Sequence, residues 1–210
     1  MSTKQHGLLV VFSGPSGVGK DSVLKKVLKS NNNLKLSVSY TTRKPREGEI
    51  HGKDYYFVSE KEFFDIVNSG QMLEYAEYCG NYYGTPLSTI NTELESGNTV
   101  ILEIEVQGGE QILRKFPDAV SMFLIPPSLE ELSNRLKNRN LDSEEIILKR
   151  ISEAKREIEF SCNYKYVIIN DSIEECANKI LNIINSEFCL FHRMKKYIKE
   201  VLINDQIKYS

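Results

Sequence analysis

A short stretch near the N-terminus constrains the fold more than any other part of this sequence. Residues 14–20 read Gly-Pro-Ser-Gly-Val-Gly-Lys and follow an apolar run over residues 8–12. The pattern GxxxxGK after an apolar run predicts a strand, then a loop whose backbone N–H groups bind phosphate, then a helix. The helix N-terminus and Lys20 add positive charge at the same place. We therefore predict that the chain binds a nucleoside triphosphate, against the alternative of a glycine-rich turn without a ligand.

Asp21 departs from the usual form of this motif, in which a serine or threonine hydroxyl contacts Mg²⁺. A carboxylate at this position can reach the metal directly or through a water molecule, because Mg²⁺ prefers hard oxygen ligands and keeps several waters. Alternatively, Asp21 only complements the positive end of the helix dipole. The sequence leaves both roles open.

Length and composition restrict the class of protein. The chain has 210 residues, a net charge of −2 and no strongly basic half, which argues for one domain with appended lobes and against nucleic acid as the main partner. Its four cysteines lack metal-binding spacing, so we expect reduced thiols that mostly serve packing in the cytoplasm. No apolar run approaches the roughly 20 residues of a membrane span, and the polar first seven residues are too short for a signal peptide. The oligomeric state stays open.

Alternating apolar and amphipathic segments predict an α/β fold. Residues 8–13, 100–106, 120–125 and 166–169 are typical of buried strands. Helix starts are indicated by Ser-x-x-Glu capping boxes at Ser59, Ser128 and Ser172, and by Thr85 as a cap before Pro86. Strands separated by helices imply a mostly parallel sheet, which binds ligands at the carboxyl ends of its strands.

Three segments depart from this alternation. Residues 36–84 carry short alternating runs and predict a small β-rich lobe, whereas residues 134–156 are dense in charge. Residues 190–210 predict an extra amphipathic helix. We expect this helix to pack back on the domain, with a membrane or partner surface as the alternative.

Two arginines in the predicted lobe suggest a second phosphate site. Arg43 and Arg46 lie three residues apart on a segment stiffened by Pro45. Two guanidinium forks suit a dianionic monophosphate, and the hydroxyls of Tyr55, Tyr82 and Tyr83 are available to the same group. The alternative for the arginine pair is a solvated basic turn.

A wider set of residues closely resembles the guanylate kinases, P-loop nucleoside monophosphate kinases, over about residues 8–187. The resemblance is carried by Ser39, residues 41–43, 45–46 and 52–55, Glu74, and residues 80–85 and 107–108. It implies a parallel-sheet core flanked by helices, a small β-rich GMP-binding lobe and a helical lid. In one domain spanning residues 1–210, the core would comprise 7–35, 97–133 and 157–188, the lobe 36–96, the lid 134–156 and a C-terminal extension 189–210.

The resemblance also implies an activity and a set of site residues. The γ-phosphoryl group of ATP would pass to GMP, and to dGMP as a further acceptor, with Mg²⁺ as cofactor. Catalytic roles would fall to Lys20, Arg43, Arg139 and Arg150. ATP would contact Gly14, Pro15, Ser16, Gly17, Val18, Gly19, Lys20, Asp21, Ser22, Arg135, Arg139 and Asn170. GMP would contact Ser39, Arg43, Arg46, Tyr55, Glu74, Tyr83, Thr85 and Glu103, and Asp21 and Glu105 would be metal ligands through water.

Glu74 is chemically suited to reading guanine. The N1–H and 2-amino groups of guanine are adjacent donors, and a carboxylate offers two acceptors to them. Adenine has an acceptor at N1 and no 2-amino group, so it would leave a buried carboxylate unpaired.

Charged residues elsewhere have both functional and plain structural interpretations. Glu103 and Glu105 alternate with apolar residues and would face the site from one strand, unless that strand is an exposed edge with a charged face. Arg135 and Arg139 lie one helical turn apart and would converge on the triphosphate, unless they form a solvated helix face. Asn140 follows where the family usually has glycine.

Two rival functions are disfavoured by particular residues. A guanylate-kinase-like interaction module that binds phosphopeptides typically has a degraded phosphate loop and lid, but Gly17, Gly19 and Lys20 are intact here. A kinase for another nucleobase is disfavoured by Ser39, Glu74 and Thr85.

Overall fold

A five-stranded parallel sheet forms the centre of the protein in a computed structural model, which describes residues 6–138 and 143–208, with side chains up to residue 203. Its strands are β1 (Leu9–Ser13), β2 (Leu34–Leu36), β7 (Thr99–Glu103), β8 (Val120–Ile125) and β9 (Tyr166–Ile169). They lie in the order β2-β7-β1-β8-β9, and every neighbouring pair is parallel. The first strand therefore lies in the middle of the sheet, and the glycine-rich loop leaves from its carboxyl end.

Helices cover both faces of this sheet because its strands are apolar on both sides. On one face, α1 (Lys20–Ser30) and α7 (Ile173–Phe188) pack over a core that includes Val10, Phe12 and Ile180. On the other face, α3 (Leu87–Glu95) and α4 (Val106–Lys115) cover a core that includes Val11 and Phe123. Adjacent residues of β1 thus serve opposite cores, as the twofold periodicity of a strand requires.

A second sheet of four strands lies within the segment predicted to be β-rich. It consists of β3 (Tyr40–Thr41), β4 (Tyr56–Phe57), β5 (Met72–Tyr78) and β6 (Asn81–Pro86), in the order β4-β3-β6-β5. Cys79 and Gly80 connect β5 to β6 with φ angles of 50° and 72°. Two consecutive positive φ angles define the tight hairpin turn whose twist matches that of the strands, and this turn fixes the register of the hairpin.

Three serines begin helices at the positions that the capping boxes predict. Ser59 caps α2 (Glu60–Asn68) with a complete box, in which its Oγ accepts from the Glu62 N–H and the Glu62 carboxylate accepts from the Ser59 N–H. Ser128 caps α5 (Leu129–Lys137), and Ser172 caps α7. With α6 (Glu144–Glu159), α5 forms a helical pair that has its own small apolar cluster of Leu132, Leu136, Ile147 and Ala154.

The helix predicted to begin at Pro86, with Thr85 as its cap, begins one residue later and has a different cap residue. Thr85 is a fully buried residue of β6, and its hydroxyl bonds to another side chain instead of capping a helix. Pro86 is the last residue of β6 and the residue before α3, which begins at Leu87. A threonine before a proline suggests a helix start, but this local pattern does not show that Thr85 belongs to a strand that pairs with β5.

The predicted strand over residues 100–106 is too long at its carboxyl end. β7 ends at Glu103, and Glu105 is the residue before α4, which begins at Val106. The alternative of an exposed edge strand is also wrong, because β7 lies between β2 and β1. Glu103 and Glu105 therefore lie at the end of a central strand and in the turn after it.

The C-terminal helix exists, but its apolar side chains do not pack on the domain as expected. It is α8 (Phe191–Lys208), and Phe191, Tyr197, Leu202 and Ile203 are each more than half exposed. Its first turn is held by Arg193, which donates to the Glu187 carboxylate and the Asp118 carbonyl oxygen. Within the described part of the chain, no helix is long and apolar enough to span a membrane.

The cysteines serve packing less than expected. All four are free thiols, and Cys176 is buried in the core, but Cys79, Cys162 and Cys189 are exposed.

Candidate active site

The loop between β1 and α1 forms an open turn that presents backbone donors at a helix N-terminus. Gly17 and Gly19 have φ angles of 85° and 99°, a region that side chains disfavour. A Cβ at Gly17 would also lie 2.6 Å from a methyl carbon of Leu136 in α5. The Nζ of Lys20 donates to the Gly14 carbonyl oxygen at 2.6 Å, so the ammonium group lies across the loop. This geometry suits an anion with several oxygens.

Arg135 and Asn170 support the far side of this loop. The Arg135 Nη1 donates to the Val18 carbonyl oxygen at 3.2 Å, and its Nη2 donates to the Asn170 carbonyl oxygen at 3.0 Å. The Asn170 side chain donates to the same Val18 oxygen at 2.7 Å. Arg135 and Asn170, which were both predicted to contact ATP, therefore lie next to the loop. The Arg135 Nε also donates to the Glu131 carboxylate at 2.9 Å, which further orients the guanidinium.

Several carboxylates lie around Lys20. Burial raises the pKa of Glu103 to about 7, against the opposing effect of Lys20, and the neighbouring Asp21 and Glu105 raise it further. Burial likewise raises the pKa of Glu157 to about 7, with Glu105 adding to the effect and a hydrogen bond from the Ser16 N–H opposing it. The site thus concentrates negative charge beside one lysine, and additional positive charge would stabilise it.

The donor set fits a magnesium ion that is shared with a phosphate ligand. One carboxylate oxygen of Glu105 is buried without a hydrogen-bond partner. Within residues 6–138 and 143–203, no three His, Cys, Asp or Glu side chains are close enough to hold a metal by themselves. Mg²⁺ commonly binds through one or two carboxylates, waters and substrate phosphates, and Asp21 and Glu105 match that mode.

Glu74 is a buried residue of β5, and its carboxylate lies against β6 and α4. It is 5% exposed, and its Oε1 accepts the Thr85 hydroxyl at 2.5 Å across the β5–β6 pair. Burial raises the pKa of this carboxyl above its usual value, although Thr85 and Lys115 favour the charged form. A Cβ at Gly108 would lie 2.5 Å from the Glu74 Oε2, so glycine is required there for α4 to approach. The carboxylate of Glu74 is thus a buried acceptor held by contacts from β6 and α4.

Arg43, Tyr55 and Tyr83 form a second cluster at the edge of the small sheet. The Arg43 Cζ lies 5.4 Å from the centre of the Tyr55 ring, and the rings of Tyr55 and Tyr83 meet edge to face at 6.0 Å. The Tyr83 hydroxyl interacts with the Arg43 guanidinium and raises its pKa, after the larger effect of Glu49. Glu49 binds Arg43 through both carboxylate oxygens, at 2.8 and 3.0 Å.

Tyr55 connects this cluster to the loop after β1. Burial raises the pKa of its hydroxyl to about 12. Glu103, Tyr83 and Asp21 raise this pKa further, whereas Arg43 lowers it. Glu103 and Asp21 belong to the central sheet and the start of α1, whereas Tyr83 and Arg43 belong to the lobe. Charged groups of both the lobe and the start of α1 therefore influence the Tyr55 hydroxyl.

Comparison with known proteins identifies the family. The guanylate kinase family model matches residues 6–187. A guanylate kinase from Lactococcus lactis subsp. lactis is 53% identical over 184 residues, which cover 88% of this chain and 90% of that protein. The chain belongs to the guanylate kinase family. It is thereby an ATP:GMP phosphotransferase, a nucleoside monophosphate kinase.

Further relatives support the same assignment over the whole fold. A guanylate kinase from Oceanobacillus iheyensis is 45% identical over 199 residues, covering 95% of this chain and 97% of that protein. The crystal structure of guanylate kinase from Anaplasma phagocytophilum superimposes with a TM-score of 0.77 at 36% identity, covering 90% of each chain. The P-loop sheet and the mixed second sheet are thus those of a guanylate kinase.

The other predicted site residues of this guanylate kinase fold are located by their elements. Ser39 is half-buried just before β3, and Arg46 is an exposed residue of the loop that leads to Glu49. Arg150 is half-buried on α6. Arg139 and Asn140 lie outside the residues that the structure describes.

Sequence reasoning missed three residues that the structure places in the site. Glu157 comes from α6, Gly108 comes from α4 and Glu49 comes from the loop after Arg46. Gly108 belongs to a motif that carried the family resemblance, but its contact with Glu74 spans 34 positions and has no local signal. Glu49 follows Arg43 by six residues, and a carboxylate beside two arginines was the available clue.

Proposed function

We propose specific roles for the site residues in the phosphorylation of GMP. The loop of residues 14–20 binds the ATP phosphates, and the lobe cluster of Arg43, Tyr55 and Tyr83 binds the phosphate of GMP. Glu74 and Thr85 read the guanine, with Ser39 nearby at the start of β3. The observation that carries this proposal is the cluster of Arg43, Tyr55 and Tyr83 in the lobe of a chain that matches the guanylate kinase family and keeps an intact phosphate loop. The acceptor phosphate would bind at this cluster and the donor phosphates at the loop.

Positioning accounts for most of the proposed catalysis. A phosphate oxygen of GMP attacks the γ-phosphorus in line, a new P–O bond forms, and the bond to the β–γ bridging oxygen breaks to release ADP. A phosphate monoester is largely dianionic near pH 7, so no protein base is needed for the attack. Lys20 stabilises the charge on the transferred group, and the lid arginines Arg135, Arg139 and Arg150 add to this effect.

Asp21 and Glu105 would hold Mg²⁺, directly or through water. The ion supplies positive charge that neutralises the phosphate oxygens during transfer. Two observations support a cation here: an unpartnered buried oxygen of Glu105, and the raised pKa of Glu103 among neighbouring carboxylates.

The remaining predictions extend this assignment. We propose that dGMP is also an acceptor, that the protein is cytoplasmic, and that nucleic acid is not a partner. The division into core, GMP lobe, lid and extension is retained as proposed from the sequence. The rival function of a phosphopeptide-binding module is disfavoured by Lys20 and Arg135, because both lie at an open phosphate loop whose glycines keep the required backbone conformation.

An ADP-release assay tests the proposed roles. With ATP and Mg²⁺, we expect turnover with GMP and dGMP and little turnover with AMP, UMP or CMP. Lys20→Ala should retain the fold by circular dichroism but reduce kcat by about 10³-fold or more, since one preorganised charge on the transferred group contributes several kcal/mol. A folded Lys20→Ala protein with nearly full activity would refute the role of Lys20, and equal turnover of AMP and GMP would refute the role of Glu74.

A further inference from the structure

Glu49 occupies one edge of the Arg43 guanidinium and leaves the edge that contains Nε to other partners. The Arg43 Nη1 donates to the Glu49 Oε2 at 3.0 Å and to the Lys44 carbonyl oxygen at 2.7 Å. The Arg43 Nη2 donates to the Glu49 Oε1 at 2.8 Å. A guanidinium has five N–H groups, so these bonds use three of them. The Nε–H and the second Nη2–H form the other edge of the plane, and the Tyr83 hydroxyl is a further hydrogen-bond partner of the guanidinium.

That remaining edge is a second bidentate fork. An arginine can bind two oxygens end-on through both terminal nitrogens, or side-on through Nε and one terminal nitrogen. Glu49 takes the end-on fork, so a phosphate would bind at the side-on fork, beside the Tyr83 hydroxyl or in its place. The Tyr83 hydroxyl contacts the same guanidinium, which brings another proposed phosphate ligand to Arg43.

The surroundings make Glu49 a fixed support for Arg43. The side chains of Arg43 and Glu49 are 15% and 19% exposed, so the pair is well shielded from water. Glu49 also accepts the Arg46 backbone N–H at 2.6 Å, which ties the carboxylate to the loop that carries the second proposed phosphate arginine. The aromatic rings of Tyr55 and Phe57 flank the guanidinium at 5.4 and 5.7 Å. Each of these contacts restricts the rotation of the Arg43 side chain.

We propose that Glu49 is a positioning residue for GMP, which holds the end-on fork of Arg43 so that the side-on fork faces the acceptor phosphate. This inference rests on the proposed role of Arg43 in binding GMP. Because a long arginine side chain loses conformational freedom when it binds, fixing it beforehand favours phosphate binding. Glu49 itself does not touch the substrate. The opposite arrangement, in which Glu49 competes with phosphate for Arg43, would make GMP binding tighter when Glu49 is removed.

Steady-state kinetics and calorimetry on the full chain test this proposal. Glu49→Ala should raise the KM for GMP about tenfold and leave the KM for ATP within about twofold, since a charge-assisted bidentate contact is lost from one substrate site only. Glu49→Gln should have a smaller effect, because its amide keeps one acceptor for Arg43. Binding of guanosine, which lacks the phosphate, should be unchanged in both variants. Glu47→Ala, at an exposed position on the same loop, serves as the matched control.

A double-mutant cycle with Arg43→Ala separates positioning from folding. In the Arg43→Ala background, adding Glu49→Ala should change the KM for GMP by less than about twofold. The inference is overturned if Glu49→Ala leaves or lowers the KM for GMP, if guanosine binding weakens equally, or if the two substitutions act additively. If Arg43→Ala alone leaves the KM for GMP unchanged, the proposed function of Arg43 fails separately from the role of Glu49.

Discussion

At the scale of single residues, Glu74 is a charged group in a place that penalises charge. It is buried on β5, its pKa is raised by that burial, and its carboxylate accepts a hydrogen bond from the Thr85 hydroxyl on β6. A buried carboxylate with unfilled acceptor capacity is costly unless a ligand supplies donors. Guanine supplies two adjacent donors, so ligand binding compensates for the desolvation of Glu74.

Glu74→Gln should weaken the preference for guanine. The amide keeps one acceptor but presents donors where guanine also has donors. We expect kcat/KM for GMP to fall by roughly 10- to 150-fold, which corresponds to about 1.5–3 kcal/mol for a charged hydrogen-bond partner. The measurement is kcat/KM for GMP, with ATP saturating. Unchanged kcat/KM would show that Glu74 does not read the base.

Two further residues illustrate how contacts remote in sequence complete the pocket. Gly108 allows α4 to approach the Glu74 carboxylate, because any side chain would overlap with the Glu74 Oε2. Gly109 similarly faces the Tyr164 hydroxyl and the Ser13 hydroxyl. The GG pair therefore lets one helix pack closely against both the Glu74 carboxylate and the end of β1.

At the scale of elements, the first turn of α1 combines a phosphate loop with an acidic residue. Asp21 is exposed next to Lys20 and raises the pKa of Glu103 in the adjacent strand end. Its proximity to Glu103 supports the hypothesis that Asp21 contacts Mg²⁺ or a metal-bound water. Its place in the first turn supports the hypothesis that it stabilises the helix by complementing the dipole. The two roles have different consequences for α1.

Asp21→Asn distinguishes the roles of this helix start. If the Asp21 carboxylate contacts Mg²⁺ or a metal-bound water, the variant should need several-fold more Mg²⁺ for half-maximal activity, and Asp21→Ser should restore metal use by providing the usual hydroxyl. If Asp21 only complements the dipole, Asp21→Asn should cost about 0.3–1 kcal/mol of stability. A Mg²⁺ titration and a parallel thermal melt measure both effects. Superimposable titrations for wild type and Asp21→Asn would reject the metal contact.

The start of α8 depends on one buried ion pair. The Glu187 carboxylate accepts from Arg193 at 3.1 Å and from the Tyr166 hydroxyl at 2.8 Å, and the Glu187 side chain is 3% exposed. The Arg193 Nη2 also donates to the Asp118 carbonyl oxygen at 2.6 Å. These contacts attach α8 to the body of the protein, although most of the described apolar side chains of this helix are exposed to solvent.

Arg193→Ala should destabilise the protein more than an ordinary surface substitution. It leaves the buried Glu187 carboxylate without its charged partner, and breaking such a pair typically costs about 3–5 kcal/mol. Urea unfolding measures the change in the free energy of unfolding. Lys196→Ala, an exposed position on the same helix, is the control and should stay within about 0.5 kcal/mol of wild type. A loss of similar size in both variants would contradict the role of the ion pair, and adding Glu187→Gln to Arg193→Ala should recover part of the stability.

At the scale of the whole molecule, the two sheets are joined by α4. The Lys115 Nζ donates to the Leu73 carbonyl oxygen at 2.8 Å, and the Gln111 side chain donates to the Tyr75 carbonyl oxygen at 2.8 Å. Both acceptors are on β5, next to Glu74, so the helix that covers the central sheet also positions the strand that carries Glu74. Global unfolding consequently exposes Glu74.

Stability should therefore depend on the ionisation of Glu74. Its pKa is raised in the folded state above the ordinary value of 4.5, so the folded protein holds this proton more tightly than the unfolded chain. The stabilising contribution is fully present below pH 4.5 and is lost as the pH rises through the raised pKa. Glu74→Gln cannot ionise and should be spared this loss.

We expect the Tm of Glu74→Gln, relative to wild type, to be higher at pH 8 than at pH 5 by a few degrees, since 1 kcal/mol corresponds to about 2–4 °C in a domain of this size. Thermal melts at the two pH values, without nucleotide, measure this difference. Glu77→Gln, an exposed residue on the same strand, should have a Tm difference that is independent of pH. The prediction is contradicted if Glu74→Gln behaves like Glu77→Gln.

Sequence alone determined the features that depend on local chemistry. A strand followed by GxxxxGK, four apolar runs and three capping serines predicted four of the five central strands, the phosphate loop and three helix starts, because each pattern acts over a few neighbouring residues. The prediction that residues 166–169 are a buried strand was wrong about burial, because β9 lies at the edge of the sheet and leaves Val167 and Ile169 about half exposed. The family resemblance added the activity, which the comparisons confirm. It also assigned roles to Arg43, Glu74 and Thr85, which stay predictions until measured.

Tertiary structure decided which partner each of these residues has. Thr85 was predicted to cap a helix, but the β5–β6 pairing directs its hydroxyl to the Glu74 carboxylate. Arg43 was predicted to bind a phosphate, and in the structure its guanidinium also forms an ion pair with Glu49. The contacts of Glu157 with the phosphate loop and of Gly108 with Glu74 join segments far apart in the chain. Long-range packing alone sets such contacts, because a residue's own neighbours carry no record of which distant backbone will approach it.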